Sequence, residues 1–373
     1  MLDEANNAKK ILLICSKISN SDGIGRHALA LSEQFRGMGC EVLFFTIAHD
    51  SFLDKCQNFF TKFYMRHLFD LAFMLVASCF RNVFYRSYLS VSPSVICAFS
   101  TNQIHFSSCH LHSLLVANEG WKLFLSPRNF FYVLVEYYQY KRCKQAIFIS
   151  RQQRDQFRDY YGIRRHPSYV FPPVLNSINF PKRHTNQDFG CNFFDKKIRR
   201  FLFIGYNFRL KGLEIAQSSI SNICGELDIV GNDPRYNPPD TTKGIHRFLG
   251  PKQFKDIVWS DYGFLIFPTH SDSYAFVIQE AVRNGLIPIC SSQAGGSEVL
   301  SDLGFTDCVI NQEPKVVPEK VSAIAMDYSS AINRWWAMET KSEIFNINTS
   351  SIYDEGSYME NVLLALFTNT KRG

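Results

Sequence analysis

No two of the eleven cysteines form a CxxC pair, and their spacing follows no repeat. A disulfide framework has nothing to be built on. An odd cysteine count in a chain of 373 residues points to reduced thiols and a cytosolic location. The first ten residues, MLDEANNAKK, are acidic and polar, which is not the pattern of a signal peptide. Long apolar runs are missing too. The most apolar stretch, Leu68 to Phe80, contains Asp70 and is flanked by Arg66 and Arg81. It is too short to span a bilayer and reads as a buried or membrane-surface helix. There is no repeat of solenoid period, no low-complexity tract and no nucleic-acid-binding motif.

What is present is a long, aromatic-rich, ordinarily hydrophobic chain with 34 Phe and 17 Tyr. Its length exceeds a typical single core and implies two domains. The net charge of +6 is unevenly placed. Residues 1–180 hold 20 Lys/Arg against 12 Asp/Glu, hence +8, and residues 181–373 hold 20 against 22, hence −2. A basic, aromatic first half suits an anionic membrane surface or an acidic acceptor, and a solvated basic surface gives the same count.

The pattern along the chain is α/β. ILLIC (11–15) reads as a buried parallel strand, KISNSDGIG as a polar loop, Arg26 to Met38 as a helix, and EVLFFTI as the second strand. Residues 51–90 read as helical, SVICAF as a strand, Tyr132 to Lys144 as a helix and AIFIS as a strand. Pro167, Pro172 and Pro173 open a segment rich in Asn, Lys and Arg that reads as a linker up to about residue 199. A second series follows: FLFIG (201–205), LDIVG (227–231), FLG (248–250), FLIFP (264–268), LIPIC (286–290) and DCVI (307–310). The expected domains are 1–180 and 181–354, with a last helix near 355–373 crossing back onto the first. Two Rossmann-like domains with parallel sheets facing a central cleft would bind ligands at the carboxyl ends of their strands.

The densest chemistry lies between Phe264 and Leu300. Asp272 sits at the mouth of a turn. Glu280 falls about two turns into the following helix, on the same face as Phe276. Ser273 and the amides after it are expected to form the helix N-terminus, which favours a phosphate, and the deeper carboxylate could accept hydroxyl hydrogen bonds from a ribose. An ordinary buried helix is the alternative. This segment resembles the donor-site signature of the retaining glycosyltransferases of family 4: two acidic residues separated by seven others, then a helix, a strand and a Gly-Gly turn. It stands here as Asp272-SYAFVIQ-Glu280, AVRNG, LIPIC and Ala294-Gly295-Gly296-Ser297-Glu298. The first acidic position is usually Glu and here is Asp272, and a Gly usual in the turn is here Ala275.

The resemblance extends to Asn207-Phe-Arg209-Leu-Lys211-Gly212 after FLFIG. Two cations one residue apart suit a diphosphate, and by the family pattern Arg209 and Lys211 stabilise the leaving nucleoside diphosphate. An exposed basic turn is the plain alternative. Gly23 and Gly25, in Asp22-Gly-Ile-Gly-Arg26, match the family's first-domain loop that touches the donor phosphate. They also fit a dinucleotide fingerprint with Asp50 further on, although seven residues separate Cys15 from Gly23, whereas a nicotinamide site turns directly after the strand. Of His105, His110 and His112, the resemblance favours His110 as the residue reaching the donor sugar; no tetrahedral ligand set accompanies them, so no metal is expected. Phe248 is expected beside the nucleobase, and Ser273, Tyr274, Ala275 and Phe276 around the donor.

The resemblance implies a metal-independent, retaining hexosyltransferase without a resident cofactor. It would use a UDP- or GDP-type nucleotide-sugar and a glycan or lipid-linked acceptor, as in lipopolysaccharide, capsule or exopolysaccharide assembly, at the inner face of the cytoplasmic membrane. Nucleic acid is not an expected partner. A non-catalytic nucleotide-sugar-binding subunit and a dinucleotide oxidoreductase stay open at this point.

Overall fold

A computed structural model describes residues 10–16, 18, 23–47, 55–57, 59, 65–99, 101–106, 108–116, 126–170, 200–233, 246–302, 304–314 and 318–337. The chain divides into two units, Met1–Asn176 and Ser177–Gly373. The expected linker begins too early, since Ser168–Val170 form a strand of the first sheet; the rest of it, from residue 171 to 199, and the last helix near 355–373 fall outside the described residues.

The first unit holds β1 (Lys10–Ile14), α1 (Gly23–Gly37), β2 (Glu41–Phe45), α2 (Arg66–Phe84), β3 (Leu89–Ser92) and β4 (Gln103–Phe106). These are followed by α3 (His110–Val116), α4 (Pro127–Arg142), β5 (Gln145–Phe148), α5 (Arg151–Tyr161) and β6 (Ser168–Val170). Its sheet has the order β2-β1-β3-β4-β5-β6, and every pairing is parallel. Ile11 to Ile14 are buried because helices cover both faces of a parallel sheet, so a continuous apolar run is the signature to expect. Ala28, Leu31 and Phe35 form the inward stripe of α1 at helical spacing. Ser126 and Ser150 cap α4 and α5 by accepting from the amides three residues on.

The second unit holds β7 (Arg200–Ile204), α6 (Leu213–Asn222), β8 (Glu226–Val230), β9 (His246–Gly250), β10 (Phe264–Phe267) and α7 (Phe276–Arg283). The remaining elements are β11 (Ile287–Ser291), α8 (Ser297–Asp302), β12 (Val309–Ile310) and α9 (Pro318–Ala337). Its sheet has the order β12-β11-β10-β7-β8-β9, again wholly parallel. One core runs through it, from Phe201 and Phe203 to Tyr328 and Ile332. Helix α9 packs on α6, where the Ser329 hydroxyl donates to Ser219 O at 2.9 Å. Two parallel six-stranded sheets make the expected two-Rossmann-like fold class.

Several local expectations are corrected. SVICAF is not a strand. β3 stops at Ser92 because Pro93 offers no amide to a ladder, and the apolar residues after it bend without pairing, with Cys97 and Ala98 buried and Cys97 N donating to Val95 O at 3.1 Å. Only residues 66–84 of the 51–90 stretch form a described long helix. Gly23 and Gly25 do not lie in a loop: they form the first turn of α1.

Candidate active site

In the second unit the strand order, counted from its own first strand, runs 6-5-4-1-2-3. It reverses between β7 and β10, and ligands of open α/β sheets bind outside the carboxyl ends of the strands at such a reversal. The segment after β7 carries Arg209 and Lys211, and the segment after β10 carries Asp272. Two stretches 61 residues apart in sequence are thereby brought together.

Lys211 Nζ donates to Asp272 Oδ2 at 2.5 Å. Both side chains are about one-fifth exposed, at 18% and 22%. The other carboxylate oxygen, Oδ1, accepts from the amides of Tyr274 (3.1 Å) and Ala275 (2.8 Å). Lys211 also lies 5.6 Å from the Phe267 ring centroid. Asp272 is held from its backbone as well, since its amide donates to Gln293 O at 3.0 Å and its carbonyl accepts from Gly295 N at 2.9 Å. The ion pair is fixed at both ends.

The two segments are sewn together by backbone. His270 N donates to Leu210 O at 2.9 Å. Gly212 has φ +72°, and a Cβ there would lie 2.0 Å from Pro268 O, so only glycine permits this approach. Arg209 is exposed and forms no ion pair among the described residues.

Helix α7 begins at Phe276, not at Ser273. The Asp272 carboxylate binds the Tyr274 and Ala275 amides and holds them in a turn, and Ala275 sits in the left-handed region at φ 62°, ψ 68°. The position where the family pattern has glycine is therefore one whose backbone favours glycine. Tyr274 is buried, its hydroxyl accepts from Gln279 Nε2, and its ring meets Phe276 edge-on at 5.2 Å. Glu280 is 0% exposed on the buried face of α7 with Val277 and Ala281. Phe248 is half-buried in β9, 6.2 Å from the Phe208 ring.

In the first unit the strand order reverses at β1 and β3. Gly23 and Gly25 open α1, after β1, at the end of the helix whose dipole favours an anion. Residues 15–22 separate them from β1, which removes the tight turn a dinucleotide fingerprint needs. His110 starts α3, and its amide donates to both oxygens of Glu136, at 2.9 and 2.8 Å. Tyr161 donates to the same carboxylate at 2.9 Å. The His110 ring meets Tyr132 edge-on at 5.4 Å, and burial pulls its pKa down, against a hydrogen bond with Asn129. Of the other two histidines, His105 faces His27 at 3.1 Å and His112 faces the Tyr160 hydroxyl at 3.2 Å. Among the described residues, no three His, Cys, Asp or Glu side chains gather as a metal-ligand set.

Sequence reasoning did not anticipate His270, Gln312 or Glu136. Gln312 Nε2 lies 3.1 Å from His270 Nδ1, and burial, then the Arg209 charge, lowers the His270 pKa, which keeps the ring neutral beside the cations. Glu136 is buried, and burial pushes its pKa up to about 8. A lone Glu in the aromatic run of α4 is the only signal the sequence offers for it.

Residues 21–177 match the family model described as Glycosyltransferase Family 4. The matched span is thus separate from residues 200–300, whose motifs carry the resemblance to the same family. No curated protein matches the sequence significantly. Among solved structures, sucrose-phosphate synthase from Thermosynechococcus elongatus superposes with a TM-score of 0.62 at 14% identity, covering 97% of this chain and 100% of that one. WaaG, a glycosyltransferase involved in lipopolysaccharide biosynthesis, gives 0.56 at 13% identity over 92% and 98%. HepE from Anabaena, solved in complex with UDP-glucose, gives 0.54 at 13% identity over 96% and 99%. At these identities the likeness is one of fold.

Proposed function

We propose that this chain, which has the GT-B fold of known glycosyltransferases and whose residues 21–177 match family 4, transfers a sugar from a nucleoside-diphospho-sugar with retention of configuration and without a metal ion. One observation carries the reading: Arg209, Lys211 and Asp272 lie on the segments that follow the two strands flanking the reversal of strand order.

Departure of a nucleoside diphosphate builds negative charge on phosphate oxygens and oxocarbenium-like charge on the anomeric carbon. Arg209, exposed at the site, offers a planar fork to phosphate oxygens. Lys211 spends one of its three N–H donors on Asp272, and the other two remain for the diphosphate. Asp272 thus aims the ammonium while its carboxylate stays beside the position of the sugar hydroxyls. Two fixed cations supply the charge stabilisation a divalent ion gives elsewhere. In same-face attack the leaving phosphate accepts the acceptor's proton, so no enzymic base is required. Within the first unit, Glu136 holds the start of α3 by accepting from the His110 amide. Glu280 is assigned to the ribose and must uncover to reach it, because its side chain is buried. The acceptor is a glycan or lipid-linked glycan met at the cytoplasmic face of a membrane, as in lipopolysaccharide, capsule or exopolysaccharide assembly. The neighbour solved with UDP-glucose makes UDP the first nucleotide to test, ahead of GDP.

The test is nucleoside diphosphate release from a panel of nucleotide-sugars. Arg209→Ala or Lys211→Ala is expected to lower turnover about a hundredfold or more while each variant stays folded. Normal turnover in either variant would remove the diphosphate assignment. A second reading, nucleotide-sugar binding without transfer, is favoured by one feature: both oxygens of Asp272 are already engaged within the protein. Asp272→Glu separates the two, since a large gain in turnover would mark an eroded site, and a loss or no change a tuned one.

A further inference from the structure

Helix α2 carries apolar side chains on both its inward and its outward face. Its inward residues include Asp70, Phe73, Met74 and Ala77. Its outward face carries Leu68, Leu75, Val76, Val83 and Phe84, of which Val83 and Phe84 are each 70% exposed. A helix on the surface of a sheet ordinarily turns polar residues to water. Helix α4 repeats the pattern with exposed Phe130, Leu134, Tyr137 and Tyr138.

The two helices are neighbours. Tyr132 on α4 donates to Asp70 on α2 at 2.6 Å, and the His67 and Phe131 rings meet at a tilt with centroids 6.2 Å apart. Both belong to crossovers that step the same way along the sheet, β2 to β3 and β4 to β5. Right-handed connection therefore puts them on the same face.

Charge identifies the occupant. Asp70 and Glu136 are the sole acidic residues of α2 and α4, and both are buried. Exposed basic residues bound each apolar stripe: Arg66 and Arg86 around α2, Arg128 and Arg142 around α4. Arg128 and Arg142 lie 5.7 and 5.9 Å from the rings of Tyr132 and Tyr138. Aromatic and aliphatic side chains rimmed by cations, with no outward anion, match an anionic lipid–water interface. A second copy of the chain fits poorly, since a two-fold contact would set the same basic ends against each other. Helix α2 is long and apolar enough to cross a membrane, but it connects two parallel strands of one sheet and buries Asp70 against α4. It lies along a surface.

We propose that the outward face of α2 and α4 docks the first unit on an anionic bilayer, with the α2 axis parallel to the membrane plane. The proposal does not depend on sugar transfer by the second unit, and its test reads no activity. The full chain is sedimented with vesicles of phosphatidylcholine alone and of phosphatidylcholine with roughly one-third phosphatidylglycerol. Binding to the anionic vesicles is expected to fall as salt is raised. Leu75→Glu with Leu134→Glu, both at positions 52% exposed, is expected to lower it about tenfold or more with an unchanged melting temperature. Arg86→Glu with Arg142→Glu, which leaves the apolar stripes intact, is expected to lower it as well. Failure of the wild-type chain to bind, equal binding by the leucine variant, or indifference to phosphatidylglycerol would each overturn the proposal. So would a dimer that the leucine variant converts to monomer without any vesicle binding, which would make the face a self-interface.

Discussion

Replacing Glu136 by Gln should change the stability of the first unit in opposite directions at low and high pH. Burial raises the Glu136 pKa from an ordinary 4.5 to about 8, against the His110 amide and the Tyr161 hydroxyl, which favour the charged form. The folded pKa lies above the unfolded one, so the stabilisation is fully present below pH 4.5 and is lost as pH rises through about 8. Between these values the folded chain holds a proton the unfolded chain lacks, and stability falls by about 1.4 kcal/mol per pH unit from this group. From pH 5.5 to 7.5 that is nearly 3 kcal/mol. Gln keeps an oxygen for the His110 amide and never titrates. The variant should cost about 1 kcal/mol at pH 5.5 through its imperfect bonding and be the more stable protein at pH 7.5. Urea unfolding at the two pH values, with exchange protection of residues 110–116 reporting on the first unit, measures the difference. A wild-type-minus-variant difference that is the same at both pH values would refute a neutral Glu136.

Two further substitutions probe the second unit. Ala275→Gly places glycine where φ is 62° and should stabilise by about 1 kcal/mol, read as a rise in urea midpoint with unchanged slope. Asp228 is buried between Arg247 (2.6 Å), Arg200 (3.1 Å) and Tyr262 (2.8 Å). Burial pushes its pKa up, but the hydrogen bonds and charges of these partners outweigh it and leave the pKa lowered. A lowered folded pKa gives stability that is present above the unfolded value and lost as pH falls through the folded one. Asp228→Asn should therefore cost about 2 kcal/mol at pH 7, keep that cost down to the ordinary carboxylate pKa, and converge on the wild type only in more acid solution, where the folded carboxyl takes up its proton, as read by urea melts across that range.

Buried parallel strands were legible because they are continuous apolar runs, as at residues 11–14 and 264–267. β4 was not, since QIHF carries two polar residues buried by contacts from outside the strand, among them the His27 ring on His105. SVICAF misled in the opposite sense, being apolar and in part buried without joining a ladder, since Pro93 precedes it. The start of α1 was missed because Gly23 and Gly25 read as loop residues. At the site, Asp272, Lys211 and Arg209 were legible as residue types in a family pattern. The 2.5 Å pairing of Lys211 with Asp272 was not, because it depends on β7 and β10 lying side by side. The burial of Glu280 and Glu136 was equally hidden, since what covers a carboxylate is set by tertiary packing.

The most direct measurement is thermal unfolding of the full chain with UDP, GDP, ADP, CMP and NADH in turn, with magnesium and with a chelator. One diphosphate should stabilise the protein equally in both conditions, by roughly 3 kcal/mol at a hundredfold excess over its Kd. Arg209→Ala and Lys211→Ala should each abolish most of that shift. Stabilisation by NADH alone, a strict need for magnesium, or an undiminished shift in both variants would contradict a metal-independent diphosphate site at the β7–β10 reversal.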